Sequence, residues 1–400
     1  MLPKLASICI PTEEYQTRID KLLFFLDEKE LSGAVLFDRD YILYYSGFAF
    51  IPTERPIAFV VNTAGTSALF VPRLEQEHAA SLAIVDQVEA YLEYPFDPHP
   101  MQRLSSLLQS LNISGACGAD HPGYPWIFGY RGPSLEELIG FAPVNIAAYI
   151  EDRMMIKSPA EIALIKESIR WANLAHTLLQ RYTRPGITET EVSMRAQQEA
   201  TLSMLDAIGP VYQAQSPFSN GIEVGYRGQI GRNASIPHAL ANNLTFRPGD
   251  TLVTGASAPV WGYNSEVERT MVIGKANPEQ KRLFEHMLAL QETAFEVLRP
   301  GMPCSEVDRA VRGYYEEHNL MRYWRHHSGH AIGLRYHESP FLDLGDQTVI
   351  IPGMVFTVEP GLYAAELGGF RHSDTVLITE GGIEILTYYP RDLEDLTIPV

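Results

Sequence analysis

The apolar positions of the first 150 residues predict alternating helices and strands. Between residues 12 and 29 they recur every three or four positions, which is typical of a helix with one buried face, and Thr12 can cap its start. Four short apolar runs bounded by Gly, Pro or Asn predict strands, at residues 33–37, 41–45, 56–61 and 68–71. Helical spacing returns at about residues 101–111 and 134–139. This part of the chain is therefore expected to form a small α/β domain.

A second domain is expected to begin near residue 154. Ser158 precedes a long helical pattern, and Glu161 follows three residues later, which is the sequence of a capping box. A chain of 400 residues is also longer than one ordinary hydrophobic core requires. We therefore predict an N-terminal α/β domain of residues 1–153 and a second domain of residues 154–400.

The second domain contains an internal repeat. The segment Arg184-Pro-Gly-Ile-Thr-Glu-Thr-Glu-Val192 recurs as Arg299-Pro-Gly-Met-Pro-Cys-Ser-Glu-Val307, and each copy joins two helical patterns. Further along, Pro248-Gly-Asp-Thr-Leu-Val253 matches Pro352-Gly-Met-Val-Phe-Thr357. Two matches in the same order predict a pseudo-symmetric α+β domain, in which two helix pairs pack on a shared sheet.

Composition limits the possible partners and the compartment. The net charge of -18 disfavours binding to nucleic acid or to anionic lipid. The sequence has three scattered cysteines, Cys9, Cys117 and Cys304. We therefore expect free thiols in a reducing compartment. The first ten residues lack the apolar core of a signal peptide, and no run is long enough to span a membrane. A cytoplasmic location is therefore expected.

Five segments, in order and with fitting spacing, resemble the creatinase/prolidase/methionine aminopeptidase family. They are Gly249-Asp-Thr-Leu-Val253, Gly262-Tyr-Asn-Ser-Glu-Val-Glu-Arg-Thr270, Gly329-His-Ala-Ile-Gly-Leu-Arg-Tyr-His-Glu338, Phe356-Thr-Val-Glu-Pro-Gly-Leu-Tyr363 and Arg371-His-Ser-Asp-Thr375. The resemblance implies a hydrolase whose catalytic domain has the pita-bread fold, preceded by the smaller α/β domain. It also implies a homodimer in which the N-terminal domain covers the partner's site, and Tyr44, Phe48 and Arg55 are candidates to line that entrance.

The family's metal ligands carry over only in part. Its metallopeptidases bind two ions through two Asp, one His and two Glu, and these positions fall on Gly255, Glu266, His330, Glu359 and Ser373. Glycine offers no ligand and a serine hydroxyl is a poor one, whereas each divalent ion needs about four to six donors. We therefore expect no metal cofactor. The alternative is one divalent ion, such as Mn or Zn, held by Glu266, His330 and Glu359.

The remaining pattern resembles creatinase, the metal-free member of the family. By that resemblance His238 is the acid and base, and Glu268 and Glu359 hold a cationic, guanidinium-like group. A histidine titrates near neutral pH and can therefore pass a proton in both directions. His330 and His337 are further catalytic candidates.

Three functions remain open at this point. The leading interpretation is a creatinase-like hydrolase of a C–N bond in a small amide, amidine or cyclic amidine, with ectoine-type solutes as one class. Glu266 and Arg371 are expected to contact such a substrate. The first alternative is a metal-dependent Xaa-Pro dipeptidase or aminopeptidase P-like enzyme, acting on a dipeptide-sized molecule. The second is a non-catalytic binding module.

Overall fold

The computed structural model describes residues 8–400, which form two compact units. One unit contains residues 10–153 and 215–217, and the other contains residues 154–214 and 218–400 with the described part of the segment before Ile10. All three cysteines are free thiols, and two of them, Cys117 and Cys304, are buried. No helix within residues 8–400 combines the length and the apolar character needed to cross a membrane.

The N-terminal unit is built on a six-stranded mixed sheet with the strand order β4-β3-β2-β1-β5-β6. Strands β1, β2 and β3 pair antiparallel, and the three remaining pairings are parallel. The elements are α1 (Thr12–Glu28), β1 (Gly33–Leu36), α2 (Arg39–Ser46), β2 (Ala58–Asn62), β3 (Ser67–Pro72), α3 (Gln76–Leu82), β4 (Gln87–Tyr91), α4 (Pro100–Ser110), β5 (Gly118–Ala119), α5 (Leu135–Ile139), β6 (Val144–Asn145) and α6 (Ala147–Met154).

The strand predicted at residues 41–45 is wrong, because this segment lies in helix α2. The Asp38 carboxylate caps the helix by accepting hydrogen bonds from the backbone N–H groups of Asp40 and Tyr41. Gly47, with a φ of 70°, ends it in the left-handed conformation that glycine tolerates best. The aromatic, fully buried run lacks helical periodicity, so only the two caps mark the helix. In α1, similarly, Thr12 is the first helical residue and Pro11 occupies the N-cap position.

The C-terminal unit has the predicted α+β content. Its elements are α7 (Pro159–Tyr182), α8 (Glu189–Ile208), β7 (Glu223–Gly225), β8 (Thr251–Val253), β9 (Gly255–Ser257), β10 (Val267–Glu268), β11 (Thr270–Ile273), α9 (Pro278–Val297), α10 (Cys304–Glu317), β12 (Gly329–Ala331), β13 (Glu338–Leu342), β14 (Val355–Val358), β15 (Gly361–Ala364), β16 (Gly368–Arg371), β17 (Ser373–Thr379), β18 (Gly382–Ile385) and β19 (Thr397–Ile398). The capping box that begins α7 is formed, with Ser158 and Glu161 bonded reciprocally.

The internal repeat is visible in the main sheet, whose order is β13-β12-β14-β17-β10-β9-β7. Strands β17 and β10 lie at its centre and are flanked by β14 and β9. β14 follows Pro352-Gly353 directly, whereas Pro248-Gly249 is followed first by β8, which pairs with β11 in a separate sheet, and then by β9. Each half also contributes one helix pair, α7 with α8 and α9 with α10. The two halves of the repeat thus contribute strands to opposite sides of the β10–β17 pairing.

A buried ion pair fixes the two central strands against each other. Arg269 donates from Nη2 to Oδ1 of Asp374 at 2.7 Å and from Nη1 to the carbonyl of Ser373 at 2.9 Å. Gln291 of α9 donates to the second carboxylate oxygen of Asp374 at 2.9 Å. The side chains of Arg269 and Asp374 are 0% and 1% exposed. Both charges are therefore paired and hydrogen-bonded, and they connect the residue directly after β10 to β17.

Candidate metal and active site

The strand register brings the candidate side chains to one face of the main sheet. Glu268 is the cross-strand neighbour of Ser373, and the pairing of Val267 with Ala256 sets Glu268 opposite Gly255. Glu266 lies two residues before Glu268 and therefore points to the same face. The predicted ligand positions, far apart in sequence, thus converge because neighbouring strands align them.

Glu266, His330 and Glu359 form the one group of metal-type donors found among residues 8–400, with donor atoms all within 4.8 Å of one another. Nδ1 of His330 lies 2.9 Å from the carbonyl of Ala331 and can donate to it, which directs Nε2 toward the carboxylates. Oε1 of Glu359 is 3.2 Å from Nε2. Nε2 is buried and has no well-aligned hydrogen bond within the described chain. A buried imidazole nitrogen between two carboxylates is a suitable ligand for a divalent ion.

The charges at this cluster are strongly coupled. Burial opposes protonation of His330, but the adjacent Glu359 carboxylate outweighs it and raises the pKa of His330 to about 9. Burial raises the pKa of Glu266 to about 7, with the negative charges of Glu359 and Glu268 adding to the shift. Burial acts on Glu359 in the same sense, yet the contact with His330 leaves its pKa below the usual range. The cluster therefore places two buried carboxylates against a single imidazole, and the protonation of each depends on the others.

Two further histidines lie beside the cluster. The ring of His337 stacks on the ring of His330, with 3.8 Å between centroids. Partial burial lowers the pKa of His337 to about 4, and the charge of His330 adds to this shift. His238 is exposed and lines a cavity of about 270 Å³ that also contains His337, Glu359 and Arg371. All the predicted site residues are therefore grouped within one region.

Glu268 differs from the other carboxylates because it is already paired. Arg227 donates from Nη2 to its Oε1 at 2.6 Å, and Arg371 donates from Nε to its Oε2. Arg371 also donates from Nη1 to the hydroxyl of Tyr363 at 3.0 Å. Arg227 and Tyr363 were not among the residues predicted for the site. Arg227 lies 41 positions before Glu268 and has only a neighbouring glycine as a turn signal, so no pattern in the sequence connects the two.

The prediction that Tyr44 and Phe48 line the entrance to a partner's site is wrong. Tyr44 and Phe48 are 6% and 0% exposed within the N-terminal unit, so their side chains belong to its interior. The guanidinium of Arg18 lies 3.9 Å from the centroid of the Tyr44 ring. Arg55 is more accessible, but it is bonded to Glu54 and to Glu93.

Comparison with known proteins identifies both units. Residues 163–380 match the model of Metallopeptidase family M24, and residues 18–121 match the Creatinase/Prolidase N-terminal domain. The Xaa-Pro dipeptidases of Pyrococcus furiosus and Pyrococcus horikoshii are 30% and 29% identical, over 94% of this chain and 99% and 98% of theirs. The crystal structure of the P. horikoshii prolidase has a TM-score of 0.78 and 26% identity, and it covers 94% of this chain and 99% of that one.

These relatives correct the sequence-based expectations. The prediction that the protein has no metal cofactor is wrong, because the matching family is one of metallopeptidases and the Glu266–His330–Glu359 cluster is present. The names of the relatives also favour the metal-dependent peptidase over the creatinase-like interpretation, and they do not support a non-catalytic binding module. The pita-bread fold is confirmed. The chain is a hydrolase that belongs to metallopeptidase family M24 and carries a creatinase/prolidase-type N-terminal domain.

Proposed function

We propose that this protein hydrolyses the C–N bond of a dipeptide-sized substrate of the Xaa-Pro type, with a divalent cation held by Glu266, His330 and Glu359. The observation that carries the proposal is the convergence of these three donors, in which the buried Nε2 of His330 faces two carboxylates. The curated relatives from two Pyrococcus species are named Xaa-Pro dipeptidases, which supports this substrate class.

The donor set suits a borderline or hard divalent ion. Two carboxylates and one imidazole are a common ligand set for zinc and are compatible with manganese. When bound, the ion supplies Lewis-acid polarisation of the scissile carbonyl. The protein contributes the orientation of the ligands, because Ala331 directs the His330 ring and Ser373 donates a 2.7 Å hydrogen bond to Glu266.

The two histidines beside the cluster have different tasks. With its pKa lowered to about 4, His337 is neutral at pH 7 and is a poor proton acceptor there, so it can contribute a neutral hydrogen-bonding ring. His238 lies on the exposed loop of the same cavity, where it can deliver a proton to the departing nitrogen. We assign His238 the role of proton shuttle, and His337 that of a neutral partner next to His330.

The cavity around His238 is suited to an anionic group of the substrate. Its lining includes Arg325, Arg371 and Arg227, with His326 and His327, as well as the carboxylates of Glu266, Glu268 and Glu359. Arg371 and Arg227 are bonded to Glu268, whereas Arg325 donates to backbone carbonyls and can turn to a substrate anion. A free dipeptide carries a carboxylate beyond the scissile bond, and arginine is the side chain best shaped to bind it. This cavity has a volume of about 270 Å³, and a second cavity of about 570 Å³ shares Glu266, Glu268 and His337 with it, so the site has room for a dipeptide-sized substrate.

Other parts of the proposal depend on the resemblance alone. Small amides and cyclic amidines are the second substrate class by the creatinase resemblance, but both oxygens of Glu268, the residue expected to hold their cationic group, are already bonded to Arg227 and Arg371. A homodimer and a cytoplasmic location stay predictions. Sedimentation of the purified protein in an analytical ultracentrifuge tests whether it is a dimer.

A chelation and substrate experiment tests the proposed function. Protein freed of metal with a chelator is given Xaa-Pro dipeptides, matched dipeptides without proline, and a cyclic amidine, before and after addition of Mn²⁺ or Zn²⁺. We expect metal-dependent hydrolysis of the Xaa-Pro dipeptides, and its loss in His330→Ala. Metal-dependent hydrolysis of the amidine alone would replace the proposed substrate class with the second one. No hydrolysis of any substrate with either ion would contradict the proposal.

A further inference from the structure

The carboxylate of Glu268 occupies the space in front of Gly255, the first of the five ligand positions implied by the family resemblance. A Cβ atom added to Gly255 would lie 3.4 Å from Oε1 of Glu268 and 3.9 Å from Nη2 of Arg227. The carboxylate of an aspartate at this position would extend beyond that Cβ and compete with Glu268 for the same space. The missing ligand at Gly255 and the presence of Glu268 therefore belong to one arrangement.

Glu268 cannot readily replace the missing ligand, because both of its oxygens are bonded to guanidinium groups. Arg227 binds Oε1 and Arg371 binds Oε2, and both contacts are charge-assisted hydrogen bonds. The side chains of Glu268 and Arg371 are each 3% exposed, so water screens their interaction weakly. The negative charge of Glu268 is thus already compensated by fixed cations.

A strained turn presents Arg227 to Glu268. The backbone N–H of Gln229 donates to the carbonyl of Tyr226 at 2.8 Å, and φ is 50° at Arg227 and 75° at Gly228, as in a type I′ turn. A residue with a side chain is uncommon at such a φ and is held there by its surroundings. Gly228 supplies one such contact by donating its N–H to Oε2 of Glu189 at 2.6 Å. The turn therefore holds Arg227 at a defined position.

Arg371 extends the positive charge to the metal cluster. Its Nε lies 3.7 Å from Oε2 of Glu359, whereas Oε1 of Glu359 faces His330. Two like charges about 4 Å apart near a protein surface repel each other. A second divalent ion on this side of Glu359 would meet that repulsion. It would also lack ligands from Gly255 and Ser373.

We propose that this chain binds one divalent cation, at Glu266, His330 and Glu359, and that Arg227 and Arg371 supply the positive charge beside it in place of a second ion. The inference rests on the proposed function for the ion at Glu266, His330 and Glu359, and it concerns the positive charges beside that ion. It assigns the two arginines a role in metal stoichiometry that no ligand motif reveals.

Metal counting tests the inference without measuring activity. Chelator-treated protein is titrated with MnCl₂ by isothermal calorimetry, and the bound metal is then quantified by plasma mass spectrometry. The wild type is compared with Arg227→Met, Arg371→Met and the control Arg232→Met, whose side chain is 79% exposed and lies outside the cluster. We expect one equivalent in the wild type and in the control. Both site variants should show a second binding step, because each frees one oxygen of Glu268.

The outcomes separate the inference from the proposed function. In Arg371→Met the affinity of the first step should also rise on the order of tenfold, because a repelling charge is removed. Two equivalents in the wild type would overturn the inference and leave the proposed function intact, whereas no bound metal would overturn both. One equivalent in all four proteins, with equal affinity, would refute the role of the arginines. If Arg371→Met fails to fold, as judged by circular dichroism, the result for Arg227→Met decides the question, because the side chain of Arg227 is half-exposed.

Discussion

The hydroxyl of Ser373 donates a 2.7 Å hydrogen bond to Oε1 of Glu266. Ser373 lies at the start of β17 and Glu266 directly precedes β10, so the bond joins the two central strands at the edge of the metal cluster. By the family resemblance, residue 373 would be a carboxylate ligand. In this chain the position instead bonds to one of the three proposed ligands.

Replacing Ser373 by Ala should weaken metal binding without abolishing it. The loss of the hydroxyl leaves Glu266 less well oriented, and the removal of such an outer partner typically costs roughly 10- to 100-fold in metal affinity. Calorimetric titration with Mn²⁺ measures the change. Ser203→Ala, which removes a hydroxyl bonded to the Glu199 carbonyl on α8, is the matched control. Equal affinities of the wild type and Ser373→Ala would contradict an orienting role.

Replacing His238 by Ala should lower kcat roughly 10²- to 10⁴-fold, the usual effect of losing general acid–base catalysis. Metal stoichiometry and affinity should stay unchanged, because His238 is not among the three donors. Steady-state kinetics on the substrate found in the chelation experiment measure the effect, and His318→Ala on the exposed end of α10 serves as the control. Loss of bound metal in His238→Ala would show that this histidine acts as a ligand instead.

The buried ion pair between Lys157 and Glu338 should matter more for stability than an exposed one. Their side chains are 1% and 7% exposed, and Nζ lies 2.8 Å from Oε2. Glu338→Gln leaves an uncompensated buried charge and should lower the free energy of unfolding by about 3–5 kcal/mol. The control, Glu384→Gln, breaks the exposed pair with Lys166 and should cost no more than about 1 kcal/mol. Urea unfolding of both variants checks this, and equal costs would be inconsistent with it.

Asp120 should make the stability of the N-terminal unit depend on pH. Its carboxylate accepts hydrogen bonds from the N–H groups of Phe37 and Asp38, but burial raises its pKa to about 6. An acid whose folded-state pKa is raised stabilises the fold fully below its unfolded pKa of about 3.8, and this contribution is lost as pH rises through about 6. The difference in melting temperature between the wild type and Asp120→Asn should therefore fall from pH 4 to pH 7. A difference that stays constant over this range would refute the shift.

Local patterns in the sequence determined much of the architecture. The capping box at Ser158 and the repeat that begins at Arg184 and Arg299 depend on neighbouring residues, and the structure contains both. Such patterns can be read because helix starts and turns are decided within a few positions. The aromatic run at residues 41–45 was misassigned because its burial is set by the tertiary structure. Complete burial removes the alternation that distinguishes a strand from a helix.

Both the sequence and the tertiary structure decided which residues form the site. The sequence by itself supplied Glu266, His330 and Glu359, because each falls at a position of a motif. Only the tertiary structure brought Arg227 to Glu268 and set the Arg371 guanidinium beside Glu359. The physical reason is that a carboxylate's negative charge is compensated by the groups that surround it in space, whatever their distance along the sequence. A strand register and a type I′ turn bring together residues that no local pattern connects.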